Sequence, residues 1–120
     1  MKITIAHSPD ADDAFMFYAL FQGKIDAQGL EFEEIREDIE TLNQKAEAAT
    51  WDVTAVSLHV YPYIQESYQL LPVGACFGMN YGPVLVSNKL LKPKQALRLR
   101  AAIPGKRTTA FLILKMWERE

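Results

Sequence analysis

The sequence predicts an α/β domain built as a mixed sheet with helices on both faces. Two observations lead there. Short β-rich runs alternate with stretches of helical period, and the helical stretches carry recognisable start and stop residues. A chain of 120 residues with 49% apolar and 23% charged content also has the ordinary balance of a globular protein with one core.

The first strand spans 2–6, where Lys2-Ile3-Thr4-Ile5-Ala6 alternates and is rich in β-formers. Ser8-Pro9-Asp10 follows with an N-cap residue, a proline for the first turn and early carboxylates that suit the positive end of a helix dipole. The tract Ala14-Phe15-Met16-Phe17-Tyr18-Ala19-Leu20-Phe21 is apolar all round, which predicts a largely buried helix, and Gly23 is its natural stop. Leu30, Phe32 and Ile35 among glutamates mark a second strand. Asp38 can cap a helix with Ile39, Leu42 and Ala46 on one face. A third strand over 53–56 leads into a short helical stretch near 58–65, which Pro62 starts or interrupts.

Further strands are expected over 68–73 and 83–87, separated by a loop from Gly74 to Gly82 with three glycines. A last strand over 100–103 turns through Pro104-Gly105-Lys106-Arg107 into a helix over 109–117. Phe111, Leu112, Leu114 and Met116 on that helix need a partner surface that no later strand supplies. The helix packs back on the first lobe, two copies exchange elements, or the sequence is a fragment; the last is the expectation.

A net charge of -2 with scattered lysines and arginines offers no field for a nucleic-acid backbone. A single cysteine, Cys76, cannot form an internal disulfide, which fits a reducing compartment and excludes zinc ribbons. The start lacks the apolar core of a signal peptide, and no stretch is long enough to span a bilayer, so a cytoplasmic protein without a membrane partner is expected.

In open α/β sheets ligands bind beyond the carboxyl ends of the strands. Three junctions qualify: Ser8-Pro9-Asp10-Ala11-Asp12-Asp13, Ala55-Val56-Ser57-Leu58-His59 and Lys106-Arg107-Thr108-Thr109. The carboxylates of Asp10, Asp12 and Asp13 suit a helix N-terminus and lack the later ligands of a calcium or magnesium loop, so no metal is expected. Ser57 and His59 suggest a nucleophile and base, but no nucleophile elbow surrounds the serine, and His7 and His59 read as structural histidines. Two hydroxyls with free backbone amides at Lys106-Arg107-Thr108-Thr109 suit a carboxylate or phosphate, or Thr108 simply caps the helix.

Ser8 to Leu20, Glu37-Asp38-Ile39-Glu40-Thr41-Leu42-Asn43 and Pro104-Gly105-Lys106-Arg107-Thr108-Thr109-Ala110 together resemble 1,4-dihydroxy-6-naphthoate synthases of the futalosine route to menaquinone, in register across nearly the whole chain. The resemblance implies a lobe like those of type II periplasmic binding proteins. On that basis 1–98 form a first lobe, incomplete without a C-terminal return, and 99–120 start a second. It also implies a carbon–carbon lyase that cleaves cyclic dehypoxanthine futalosine without metal or redox cofactor, by proton abstraction at a histidine. Carried over by position, Ala55, Val56, Ser57, Thr108 and Thr109 would bind a small carboxylated substrate, with Ser8 and Asp13 in the pocket wall. The catalytic histidine would lie beyond Glu120, so the chain alone should be silent and its catalytic residue unassigned. The acidic run at Asp10-Ala11-Asp12-Asp13 departs from the shorter family pattern, while Asp13 keeps a matching carboxylate.

Three other readings compete. The same fold serves solute capture in transporters, but no export signal or lipid-attachment cysteine stands near the N-terminus. Chorismate dehydratase, a relative in fold, fits the first motif less well. A structural domain would associate as a homo-oligomer or by element swap if the chain truly ends at 120.

Overall fold

The structure, a computed structural model, describes residues 1–92 and 99–118. The expected lobe boundary at 98 lies outside the described residues.

Among the described residues the elements follow in the order β1 (Lys2–His7), α1 (Ala11–Phe21), β2 (Glu31–Arg36), α2 (Ile39–Glu47), β3 (Val53–Thr54), α3 (Tyr61–Ile64) and α4 (Thr109–Trp117). The strands form one sheet in the order β2–β1–β3, and both pairings are parallel. The chain is α/β as expected, but the described sheet is parallel rather than mixed. The order reverses direction after β2. Right-handed crossovers therefore set α1 and α2 on opposite faces of β1.

β1 is the centre of the molecule. Its Ile5, Ala6 and His7 are buried, while its start is exposed. On one face the His7 ring lies 4.9 Å from Phe17 and 6.0 Å from Phe21 of α1. α2 buries Leu42 and Ala46, and Ala46 joins Val60 and Ile64 in a cluster against which Val56, Tyr61 and Tyr68 pack. At the other end of β1, the Asp52 carboxylate accepts from the Thr4 N–H (2.8 Å) and hydroxyl (2.7 Å), and the Asp52 N–H returns to the Thr4 hydroxyl. Those bonds hold the entry to β3 in register with β1.

The termini of α1 follow from its ends. Asp10 rather than Ser8 is the N-cap, and Pro9 precedes the helix. Gly23 adopts φ +61°, and the Lys24 N–H reaches back to the Ala19 carbonyl at 2.8 Å, the closing bond of a Schellman stop. α2 starts as expected at Asp38, whose carboxylate accepts from the Glu40 and Thr41 backbone N–H groups.

Several expectations fail. α1 has no buried residue, and Phe15 is 86% exposed: among the described elements, α1 meets the sheet on the side that faces His7. The segments 68–73, 83–87 and 100–103 are not strands. Leu70, Leu71, Val73, Val84 and Val86 are exposed there, so no apolar burial offsets the entropy of ordering them into a sheet. The third strand closes at Thr54, although the Ala55 N–H still donates to the Ala6 carbonyl at 2.8 Å. The helix expected over 58–65 shrinks to Tyr61–Ile64, with Pro62 in its first turn.

Candidate functional site

A parallel sheet ordered β2–β1–β3 has its topological switch point between β1 and β3, where successive connections leave in opposite directions. The crevice at a switch point opens beyond the carboxyl ends of those two strands. Ser8-Pro9-Asp10 leaves β1 there and Ala55-Val56-Ser57 leaves β3, so two of the expected segments share one edge.

Each is held differently. Ser8 is buried, and its N–H donates to the Asp13 carboxylate at 2.9 Å while its hydroxyl accepts from the Asp10 N–H. Asp13 thus closes the turn into α1. Val56 turns its side chain to the core cluster, leaving backbone and Ser57 at the edge. Ser57 is gripped by Asn43, a fully buried residue of α2: the Ser57 N–H donates to Asn43 Oδ1 at 2.9 Å, and Asn43 Nδ2 donates to Ser57 Oγ at 3.0 Å. Because Oγ accepts from Asn43, its own proton is left to donate outward.

The third segment reaches the same region from α4. His59 Nδ1 donates to the Thr108 carbonyl at 3.1 Å, tying the loop after β3 to the start of α4. Thr108 is buried and caps α4. Its hydroxyl donates to the Gly105 carbonyl at 2.8 Å and accepts from the Phe111 N–H at 3.3 Å. The Lys106 and Arg107 amides, expected to be free for an anion, are taken. Glu40 of α2 accepts from the Lys106 N–H (3.0 Å) and the Arg107 N–H (3.1 Å). Arg107 also pairs with Glu47 and lies 4.5 Å over the Tyr63 ring. The N–H groups of Thr109 and Ala110 and the Thr109 hydroxyl have no partner among the described residues.

His7 is not placed for chemistry. It is buried, with Nδ1 donating to the Ser8 carbonyl at 2.7 Å and Nε2 3.2 Å from Glu34. The glycine-rich loop approaches the start of α1. Asp12, Asp13 and Cys76 offer ligand atoms within 4.8 Å of one another. The approach is explained by a hydrogen bond between Cys76 and Asp12, which pushes the thiol up to about 11 and holds the Asp12 carboxyl below the usual range. A thiol so raised is protonated at neutral pH and is no nucleophile. Nearby, an open apolar hollow of about 420 Å³ is lined by Leu71, Val73, Gly74 and Phe77, without the converging polar groups of the sheet edge.

Residues 3–120 match the family described as menaquinone biosynthesis. This chain belongs to the menaquinone-biosynthesis family. Within reach of this family member are the 1,4-dihydroxy-6-naphthoate synthases of Thermus thermophilus and Streptomyces coelicolor, each 34% identical over 96% of this chain. The chain spans 41% and 40% of those relatives' own lengths. A crystal structure of protein AF1704 from Archaeoglobus fulgidus is 48% identical and superposes with a TM-score of 0.90, covering 99% of this chain and 44% of that one.

Two residues of the candidate site in this family member stand outside the three expected segments. Asn43 stands at i+4 from Ile39, on the same stripe as Leu42 and Ala46, and a polar residue on a buried stripe is a signal. Glu40 carried no local signal, because its partners are 66 and 67 residues away.

Proposed function

We propose that this chain forms the substrate-binding first lobe of a 1,4-dihydroxy-6-naphthoate synthase, a cytoplasmic carbon–carbon lyase of menaquinone biosynthesis with a lobe of the periplasmic-binding-protein type. The identity to two proteins of that name over nearly the whole chain carries the reading. The ligand is a small carboxylated aromatic compound. Its carboxylate sits at the start of α4, where the Thr109 and Ala110 amides and the Thr109 hydroxyl, without a partner among the described residues, meet the positive end of the helix dipole. Ser57 donates its free proton to the same guest, with Ala55 and Val56 supplying backbone at the edge. An apolar hollow of about 290 Å³ beside Ala110, lined by Ile103, Ile113 and Trp117, suits a flat ring. Ser8 and Asp13 shape the wall at β1. The proton-abstracting base comes from outside these 120 residues, since His7 and His59 are struts. This chain then binds without turnover.

Calorimetric titration of 1,4-dihydroxy-6-naphthoate into the chain tests the reading. Binding is expected, weakened by roughly 1 to 3 kcal/mol in Thr109→Ala without loss of melting temperature. No binding by the wild type, or equal affinity in the variant, would count against it.

A further inference from the structure

Two sequence motifs far apart in the chain meet in space. Glu40 lies in the first turn of α2, and Gly105-Lys106-Arg107-Thr108 is the turn that enters α4. The Glu40 carboxylate receives both the Lys106 and Arg107 N–H groups, one on each oxygen. Two parallel N–H bonds to one carboxylate fix direction as well as distance. Gly105 completes the fit: a Cβ added there would overlap the Glu40 carboxylate and its own Cβ. The backbone angle of Gly105 does not lie in the left-handed region, so space beside Glu40, not conformation, requires a glycine. The Arg107–Glu47 ion pair and the His59 bond to the Thr108 carbonyl bracket the same turn.

The structure assigns Glu40 as a positioning residue: with Gly105 it forms a latch that clamps the turn before α4 to α2 and thereby holds the first turn of α4, with Thr109, at the sheet edge. The latch occupies the amides just ahead of the helix, so an anionic guest is directed one step onward, to the open amides of Thr109 and Ala110. A carboxylate already built into the turn also repels a second anion from the 106–107 amides. The site therefore admits a carboxylate in one place. The assignment of the latch stands on the contacts alone; its consequence for binding rests on the proposed function.

Amide hydrogen exchange followed by NMR on the whole chain separates the two. Glu40→Ala speeds exchange at Lys106 and Arg107 by about tenfold or more, while the Leu42 and Ala46 amides keep their protection. Glu40→Gln, which keeps one carbonyl oxygen, preserves protection at one of the two amides. Gly105→Ala leaves Glu40 chemically intact but forces the turn away from α2, and reproduces the Glu40→Ala pattern. Unchanged exchange at Lys106 and Arg107 in these variants would overturn the latch. If Glu40→Ala disrupts α2 as a whole, the Gln and Gly105 variants decide. In the second arm, affinity for 1,4-dihydroxy-6-naphthoate falls about tenfold in Glu40→Ala and is largely rescued in Glu40→Gln. Wild-type affinity in Glu40→Ala would overturn the positioning role. A wild-type chain that binds no naphthoate would instead sink the proposed function, and the exchange data would still decide the latch.

Discussion

Asn43 and Ser57 show how a buried polar residue serves two ends. Asn43 is fully buried and spends both amide atoms on Ser57, so each side chain fixes the other. Replacing Asn43 with alanine leaves the Ser57 N–H without its acceptor. The urea midpoint should then fall by an equivalent of about 1 to 3 kcal/mol, more than for Ser57→Ala. A surface role for Asn43 would show as no change. Asp52 gives a pH signature at the far end of β1. Its carboxyl lies below the ordinary range because the Thr4 backbone N–H, and then the Thr4 hydroxyl, bond to the ionised form. A depressed pKa contributes stability above the unfolded value and loses it as pH falls through the folded one. Acid titration of stability should therefore steepen below about pH 4 in the wild type. Asp52→Asn should flatten that limb; an identical acid limb would deny the carboxylate its role. At this scale the sequence offered Thr108 as a cap or an anion ligand and Ser57 as a residue at a strand end; the cap and the strand-end position are what the structure shows, and both follow from local spacing. Glu40 escaped, because the amides it binds belong to a turn distant along the chain.

Among the elements, α2 repays its amphipathic pattern and α1 does not. Leu42 is fully buried on the stripe facing the sheet, so Leu42→Ala should cost about 2 to 5 kcal/mol by thermal or urea unfolding. Phe15, equally apolar, stands in solvent, and Phe15→Ala should change stability by no more than about 0.5 kcal/mol. Similar losses in the two would contradict the packing described. The contrast explains what was legible. Periodicity and capping residues locate α2, β1 and β2 because those signals are local. The apolar run of α1 reports only that burial is wanted, not that a surface is present to provide it. Segments 68–73 and 83–87 read as strands for the same reason and, with their side chains exposed, remain outside the sheet.

For the molecule as a whole, the parallel order β2–β1–β3 does more than any motif to bring the candidate site's segments together. It sets the ends of β1 and β3 at a switch point, and α4 is brought to the same region by His59, Glu40 and Glu47. The radius of gyration is 17.2 Å, against about 14 Å for a compact domain of this length, and the extents are 56 × 29 × 22 Å. So much surface is open that apolar hollows offer rival seats for an aromatic guest, among them the one lined by Leu71, Val73 and Phe77. NMR titration with 1,4-dihydroxy-6-naphthoate distinguishes these seats directly. The amide resonances of Ser57, Thr109 and Ala110 should move together along one saturation curve. Shifts that leave those three still and gather instead around Leu71 to Phe77 would contradict a site at the sheet edge.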